Sequence, residues 1–238
     1  MGTIINVIAI VLGGIIGRFF GKLLSERFQD TLNKVCGVSV LFIGISGALE
    51  GMLAIKDNQV VSQKAMMIVI CMILGAVIGE ILNIEDKFER FGEWLKKKTG
   101  NSKEKMFVEG FVTASFTVCI GAMAIVGAIE DGIFGDYSIL VTKAVLDFII
   151  ILVMTGTLGK GCMYSAIPVA ILQGSVTVLA GFIKPIMTDS ALANLSMIGS
   201  ILIFCVGLNL VWGRKIRVAN LLPAIILAVI MAFLPINL

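Results

Sequence analysis

The chain contains no histidine. That removes the commonest metal ligand and the side chain that most readily moves protons near neutral pH. It also removes the usual base of serine and cysteine hydrolases. Charge is scarce too. Asp, Glu, Lys and Arg make up 15% of 238 residues, and the net charge is only +3. That charge is dispersed among loops, which argues against a nucleic-acid surface. The five cysteines (Cys36, Cys71, Cys119, Cys162 and Cys205) stand singly within apolar stretches. With no CxxC pair, neither a zinc site nor a disulfide framework is indicated, and the thiols read as small buried hydrophobes. No GxxxxGK[ST] loop occurs, so direct use of ATP by this chain is not expected. An intramembrane aspartyl protease would need two converging carboxylates. Asp136 and Asp147 do not suit, because "IFGD" lacks the Gly-x-Gly-Asp arrangement and Asp136 falls at the water boundary. The expectation is no enzyme, no cofactor and no resident metal.

What the chain has in abundance is hydrocarbon. It is 58% hydrophobic, with mean hydropathy +1.03. Helices of a soluble protein need a polar face, whereas here nearly uncharged runs long enough to cross a bilayer recur throughout. No ten-residue alternation of a membrane β-barrel is visible. The expected fold is therefore an all-α polytopic membrane protein, one transmembrane domain over 1–238. Eight spans are predicted: 4–21, 35–54, 65–83, 107–129, 138–158, 162–183, 192–212 and 218–236. Pro168 and Gly174 predict that the sixth is kinked or re-entrant. The opening "MGTIINVIAIVLGGIIG" has its basic residues after the apolar run, the reverse of a cleavable signal, and reads as a retained span.

Fifteen of the nineteen Lys and Arg residues fall in the loops after the first, third, fifth and seventh spans. Lys56, Lys64 and Lys184 lie on the other side, and Lys143 is left within a span. Positive charge favours the cytoplasm, so both termini are expected outside. The polar stretch 84–106 places Phe88, Phe91, Trp94 and Leu95 at helical spacing. It predicts an amphipathic helix at the cytoplasmic interface, its lysines toward acidic headgroups.

"VIAIVLGGIIGR" (7–18) matches "VICMILGAVIGE" (69–80), and "FIGISGALEG" (42–51) matches "CIGAMAIVGAIEDG" (119–132). A parallel repeat of a two-helix unit is expected, with copies at about 4–54 and 65–132. Gly13 and Gly17, like Gly75 and Gly79, form GxxxG pairs that let helix backbones approach in lipid. They also leave a homodimer open. Gly121 and Gly127 lie close to Glu130, Asp131 and Gly132 and could permit a broken helix beside a polar site.

The segment "GDYSILVTKAVLDF" (135–148) carries Lys143 and Asp147 one helical turn apart inside an apolar run. Residues four apart share a helix face and can pair. An isolated charge at that depth costs at least about 2.5–3.5 kcal/mol. Two readings stand: a pair that fixes helix packing, or a site for a proton, cation or solute. Other candidate ligands are Glu130, Asp136, Thr113, Thr117, Gln173 and Asn209, with Asn6 and Thr177 nearby in the apolar runs. With "LGGIIGR", "LGAVIGE", this segment and "NLLPAIILA" (220–228) together, the chain resembles the YdfK/YqgA-type family of bacterial inner-membrane proteins over nearly its full length. The resemblance implies a polytopic protein of the bacterial cytoplasmic membrane. It supplies no substrate and no catalytic residues. The functional expectation is a secondary transporter or channel for a small solute or ion, centred on the fifth span. The alternative is a non-transporting assembly or sensor subunit. The bilayer and an unidentified solute are the expected partners, with no nucleic acid.

Overall fold

The computed structural model of the chain describes residues 1–23, 25–56, 58–119 and 122–234. It is helical almost throughout. α1 (Gly2–Leu23) and α2 (Glu26–Met52) are followed by a short antiparallel hairpin, β1 (Leu53–Lys56) and β2 (Gln59–Ser62), then α3 (Ala65–Leu82) and α4 (Ile84–Lys98). α5 (Phe107–Cys119), α6 (Ala122–Phe134) and α7 (Ser138–Leu158) come next. A 3-10 turn, Lys160–Ser165, leads into α8 (Ala166–Val178) and the single turn α9 (Ala180–Ile183). α10 (Asp189–Trp212), a second 3-10 turn (Val218–Leu221) and α11 (Pro223–Met231) complete the chain.

Among the described residues, six helical runs are long and apolar enough to cross a membrane, or seven if the bent pair α5–α6 counts as one. The expected eight are not all found among the described residues. The described part of the predicted span 218–236 holds a 3-10 turn and a nine-residue helix, and residues 235 and 236 lie outside the described residues. Its apolar run, Val218–Met231, is shorter than the roughly 20 residues a span needs. Pro223 starts α11 rather than interrupting it, since the first turn has no use for its missing N–H. Pro168 likewise sits in the first turn of α8. The predicted sixth span runs as one unit from Lys160 to Val178 and breaks only at Leu179. The predicted fifth span, 138–158, coincides with α7. The hairpin after α2 was not expected from the sequence.

The internal repeat is not seen as a structural repeat. α2 is unbroken over 27 residues. Its proposed counterpart ends as α5 at Cys119 and resumes as α6 with a 61° bend. Gly121 lies outside the described residues.

Helix pairing joins the two halves of the chain instead. α1 runs parallel to α7. A methyl on Gly13 would meet the Phe148 carbonyl oxygen at 2.6 Å, and one on Gly21 the Gly156 oxygen at 2.5 Å. Gly17, between them, would overlap the Leu152 carbonyl. α2 is antiparallel to α10, with Gly44 against the backbone of Phe204 and Gly51 against Met197. α3 is antiparallel to α11, with Gly75 on Ala224 and Gly79 on the Asn220 carbonyl. Small residues permit this approach, and dispersion between backbones holds it in lipid, where apolar side chains gain little from leaving the surroundings. The GxxxG faces are therefore occupied within the chain.

One large apolar cluster includes Ile10, Phe107, Phe111, Ile151, Met154, Met197 and Ile198. A separate small one, Ala128, Ile129 and Val176, joins α6 to α8. The break thus divides α5, in the main core, from α6, in the satellite. Contacts between loops define two ends. At one, Lys160 pairs with Glu104 at 2.9 Å, Arg214 with Glu85 at 2.6 Å and Arg217 with Glu80 at 3.4 Å. At the other, the Met1 ammonium pairs with Asp131 at 2.8 Å and Lys64 donates to Asn194 at 3.0 Å. The basic loops therefore gather at a single end.

α4 confirms an amphipathic helix but not a free surface anchor. Its Phe88 stacks on Phe111, with centroids 5.8 Å apart, and lies tilted against Phe116 at 4.9 Å, and Gly92 and Leu95 are buried. The apolar face packs on α5, and residues 99–106 form turns rather than more helix.

Candidate functional site

α7 carries the charged pair into the protein. At 1.5 Å per residue, Lys143 lies about 8 Å and Asp147 about 14 Å from the helix start. Both are buried, 7% and 3% exposed, so neither side chain faces lipid or escapes to water. Lys143 Nζ donates to Asp147 Oδ2 at 2.6 Å and to the Val118 carbonyl oxygen at 2.7 Å. Val118 is in the last turn of α5, just before the break. The last carbonyls of a helix have no partner within it and form the negative end of its dipole. The ammonium therefore closes the end of a half-helix while neutralising a carboxylate.

Two amides complete the cluster. Asn6 of α1 and Gln173 of α8 are essentially sealed from solvent, and Asn6 Nδ2 donates to Gln173 Oε1 at 3.2 Å. Asn6 also reaches toward the Asp147 carboxyl. Asn6 Oδ1 and Gln173 Nε2 have no hydrogen-bond partner among the described residues. Burying a polar atom in that condition costs roughly 1–3 kcal/mol. One acceptor and one donor thus stand open beside an ion pair. From here a polar seam follows the α1–α8 contact to the far end, through Thr3 and Thr177 (oxygens 3.4 Å apart) to Asp131. The Asp131 carboxylate accepts from the Met1 ammonium at 2.8 Å and from Gly2 N at 2.9 Å.

The remaining candidates are dispersed. Glu130 is half-buried and makes no hydrogen bond or ion pair among the described residues; its neighbour Asp131 is the tethered carboxylate. Asp136 is exposed and caps α7, accepting from Ser138 N at 2.9 Å and Ser138 Oγ at 2.6 Å. Those bonds hold its carboxyl below the usual range. Thr117 donates to the Thr113 carbonyl of its own helix at 2.8 Å. Thr113 lines a second cavity of about 220 Å³ at the basic end, with Glu85, Glu109 and Arg214. Asn209 borders that cavity but is committed to the loop after α10. Its Oδ1 accepts from Lys215 N and Ile216 N, both at 2.9 Å, and its Nδ2 donates to Ile216 O at 2.8 Å. Gly127 packs on Ile139 and Leu140.

Sequence reading did not foresee the ion-pair lock between α4 and the α10–α11 loop. Glu85, only 2% exposed, accepts from Arg214 and from Ala219 N, and Arg214 also pairs with Glu89. Burial opposes the Arg214 charge, but the two carboxylates outweigh it and raise its pKa above the ordinary value. The only sequence signal was a cluster of acids on a helix whose partner lies 129 residues away.

A family model described as a protein of unknown function, DUF554, matches residues 1–233. The chain belongs to the DUF554 family. It is 28% identical over 232 residues to the uncharacterised membrane protein YdfK of Bacillus subtilis (strain 168), covering 98% of this chain and 95% of that protein. To the uncharacterised protein YqgA of Escherichia coli (strain K12) it is 30% identical over 235 residues, covering 96% and 94%. No solved structure matches. The expected resemblance is met over nearly the whole chain, and the name of the relative YdfK calls that protein a membrane protein. Among the described residues of this DUF554 member, no group of three or more Cys, Asp and Glu could hold a metal ion.

Proposed function

We propose that this DUF554 protein is a secondary transporter or channel for a small solute or ion, acting in the bacterial cytoplasmic membrane with its basic end inward. The observation that carries the reading is the Lys143–Asp147 pair, buried within α7 and bonded to the end of the half-helix α5. Ionisable groups inside a membrane fold are costly and mark pathways for protons, ions or substrates. Discontinuous helices build transporter sites because their ends bring unpaired backbone polar groups to the membrane interior. Asn6 Oδ1 and Gln173 Nε2 offer a passing polar solute one acceptor and one donor. The seam toward Asp131 and the cavity beside Thr113 supply polar surface on either side. Positive charge at the end shared by Lys34, Lys160 and Arg214 favours the cytoplasmic side.

The test is reconstitution into liposomes followed by electrical recording on a supported membrane. The panel is protons, alkali cations, amino acids, organic acids and polyamines. Wild-type protein should give a current with at least one class, and Asp147→Asn should reduce it to the level of empty liposomes. The asparagine keeps an oxygen for Lys143 but leaves its buried charge unmatched, so a melting curve of the reconstituted variant is read beside its current and only folded protein is compared. Full current in Asp147→Asn would remove the site. Silence of the wild type across the panel would remove the transport reading.

A further inference from the structure

A groove of about 490 Å³ lies between α4, α5, α8 and α11. Phe88 and Phe91 of α4 stand at one end, Phe116 and Cys119 of α5 along one wall, and Ile171 and Ile225 along the others. Apart from Ser115 and Ser175, nothing in the lining offers a hydroxyl, an amide or a charge.

The charge on α4 is sorted around its axis. At 100° per residue, Glu85, Asp86 and Glu89 turn to one flank. There Arg214 and Arg217 of the α10–α11 loop hold them. Lys87, Trp94 and Lys98 turn to the opposite flank, beside Phe91 at the mouth of the groove. Phe91 and Trp94 stack with centroids 5.8 Å apart, and Lys98 Nζ lies 5.9 Å from the Trp94 ring. Lys87 and Lys98 are exposed and enter no ion pair among the described residues. Glu85, Asp86 and Glu89 are thus paired on the far flank, while Lys87 and Lys98 beside the groove enter no ion pair among the described residues.

We propose that the groove is a binding site for an anionic membrane phospholipid, one acyl chain in the groove and the anionic headgroup against the flank of α4 that carries Lys87, Trp94 and Lys98. Tryptophan beside lysine is the side-chain pairing that settles at the headgroup level. An anionic headgroup near these lysines gains an attraction that a neutral headgroup does not, whereas the acyl chain only exchanges one apolar surrounding for another. The buried end of the chain lies against Phe116 and Cys119, on the turn whose Val118 carbonyl holds Lys143. The ligand therefore touches α5 at its last turn, next to the break.

The test is native mass spectrometry of delipidated full-length protein, titrated with phosphatidylglycerol and with phosphatidylcholine of the same chains. Wild type should bind phosphatidylglycerol more tightly. Lys87→Gln with Lys98→Gln should weaken it roughly fivefold per lysine and leave phosphatidylcholine unchanged. Ser175→Phe fills the groove from the exposed side of α8 and should lose the bound phosphatidylglycerol at an unchanged melting temperature. Equal binding of the two lipids by wild type would overturn the proposal. So would full phosphatidylglycerol binding by a folded Ser175→Phe protein, or a photocrosslink from position 175 to a second protein chain.

Discussion

Lys143 donates to two acceptors at once, and that decides what its loss would do. Removing one partner of a buried pair leaves the other charged and unsolvated, typically at about 3–5 kcal/mol. Lys143→Met should therefore lower the melting temperature sharply, because it strands Asp147 and frees the Val118 carbonyl. Adding Asp147→Leu should recover much of that stability without recovering transport, since an apolar pair can pack where an ion pair stood. Melting curves and flux on the same three proteins check this. A double variant that transports normally would show that the pair only holds helices together. Asp136 behaves differently because it is fully exposed. Ser138 donates to its ionised form through hydroxyl and amide, so its native pKa is lowered. The cap is therefore complete above the ordinary carboxylate value and is lost as pH falls through the lowered one. Amide exchange of residues 138–142, corrected for intrinsic rate, should rise at acid pH, and Asp136→Ala should show the same rise near neutrality.

The α1–α7 contact works because three glycines on one face meet three backbone carbonyls on the other. A side chain at Gly17 has no flexible neighbour to displace, only the Leu152 carbonyl. Overpacking of this kind costs about 1–3 kcal/mol, and Gly17→Leu should exceed Gly17→Ala. Both should loosen the Asn6–Gln173 bond, since α1 carries Asn6; thermal melting gives the ranking. α4 depends on a different device. Glu85 is buried and held by Arg214, so Arg214→Ala should strand it and release α4 from the α10–α11 loop. Hydrogen exchange within Ile84–Lys98 should increase strongly, while α7 stays protected. The GxxxG pairs and the amphipathic face of α4 were legible in the sequence because both are local periodicities. Their partners were not, because Leu152 lies 135 residues from Gly17 and a period does not say which surface it meets.

For the molecule as a whole, the paired contacts put 99–104, 157–160 and 214–217 at one end and 1–3, 130–137 and 184–188 at the other. With the basic end inside, a cysteine at Asn101 in a cysteine-free background should resist a membrane-impermeant maleimide in intact cells, and one at Gly135 should react. The reverse pattern would invert the protein. The separation of α6 from the main core also has a consequence at this scale. The satellite cluster with Val176 is small, so α6 should open at lower free energy than α5, and hydrogen exchange should distinguish the two halves of the same apolar run.

Hydrophobic runs, loop charge and the position of Lys143 and Asp147 were set by the sequence alone. Each is a property of neighbours along the chain, and a bilayer imposes its length scale on every run. The glycines at 121 and 127 already pointed to a broken helix; tertiary structure alone decided that the described run after Val218 stops short of a full span and that Asn6 and Gln173 lie beside the ion pair. These depend on which helix lies beside which. In a chain so uniformly apolar, that choice is made by a few glycines and buried polar groups whose partners lie more than a hundred residues away.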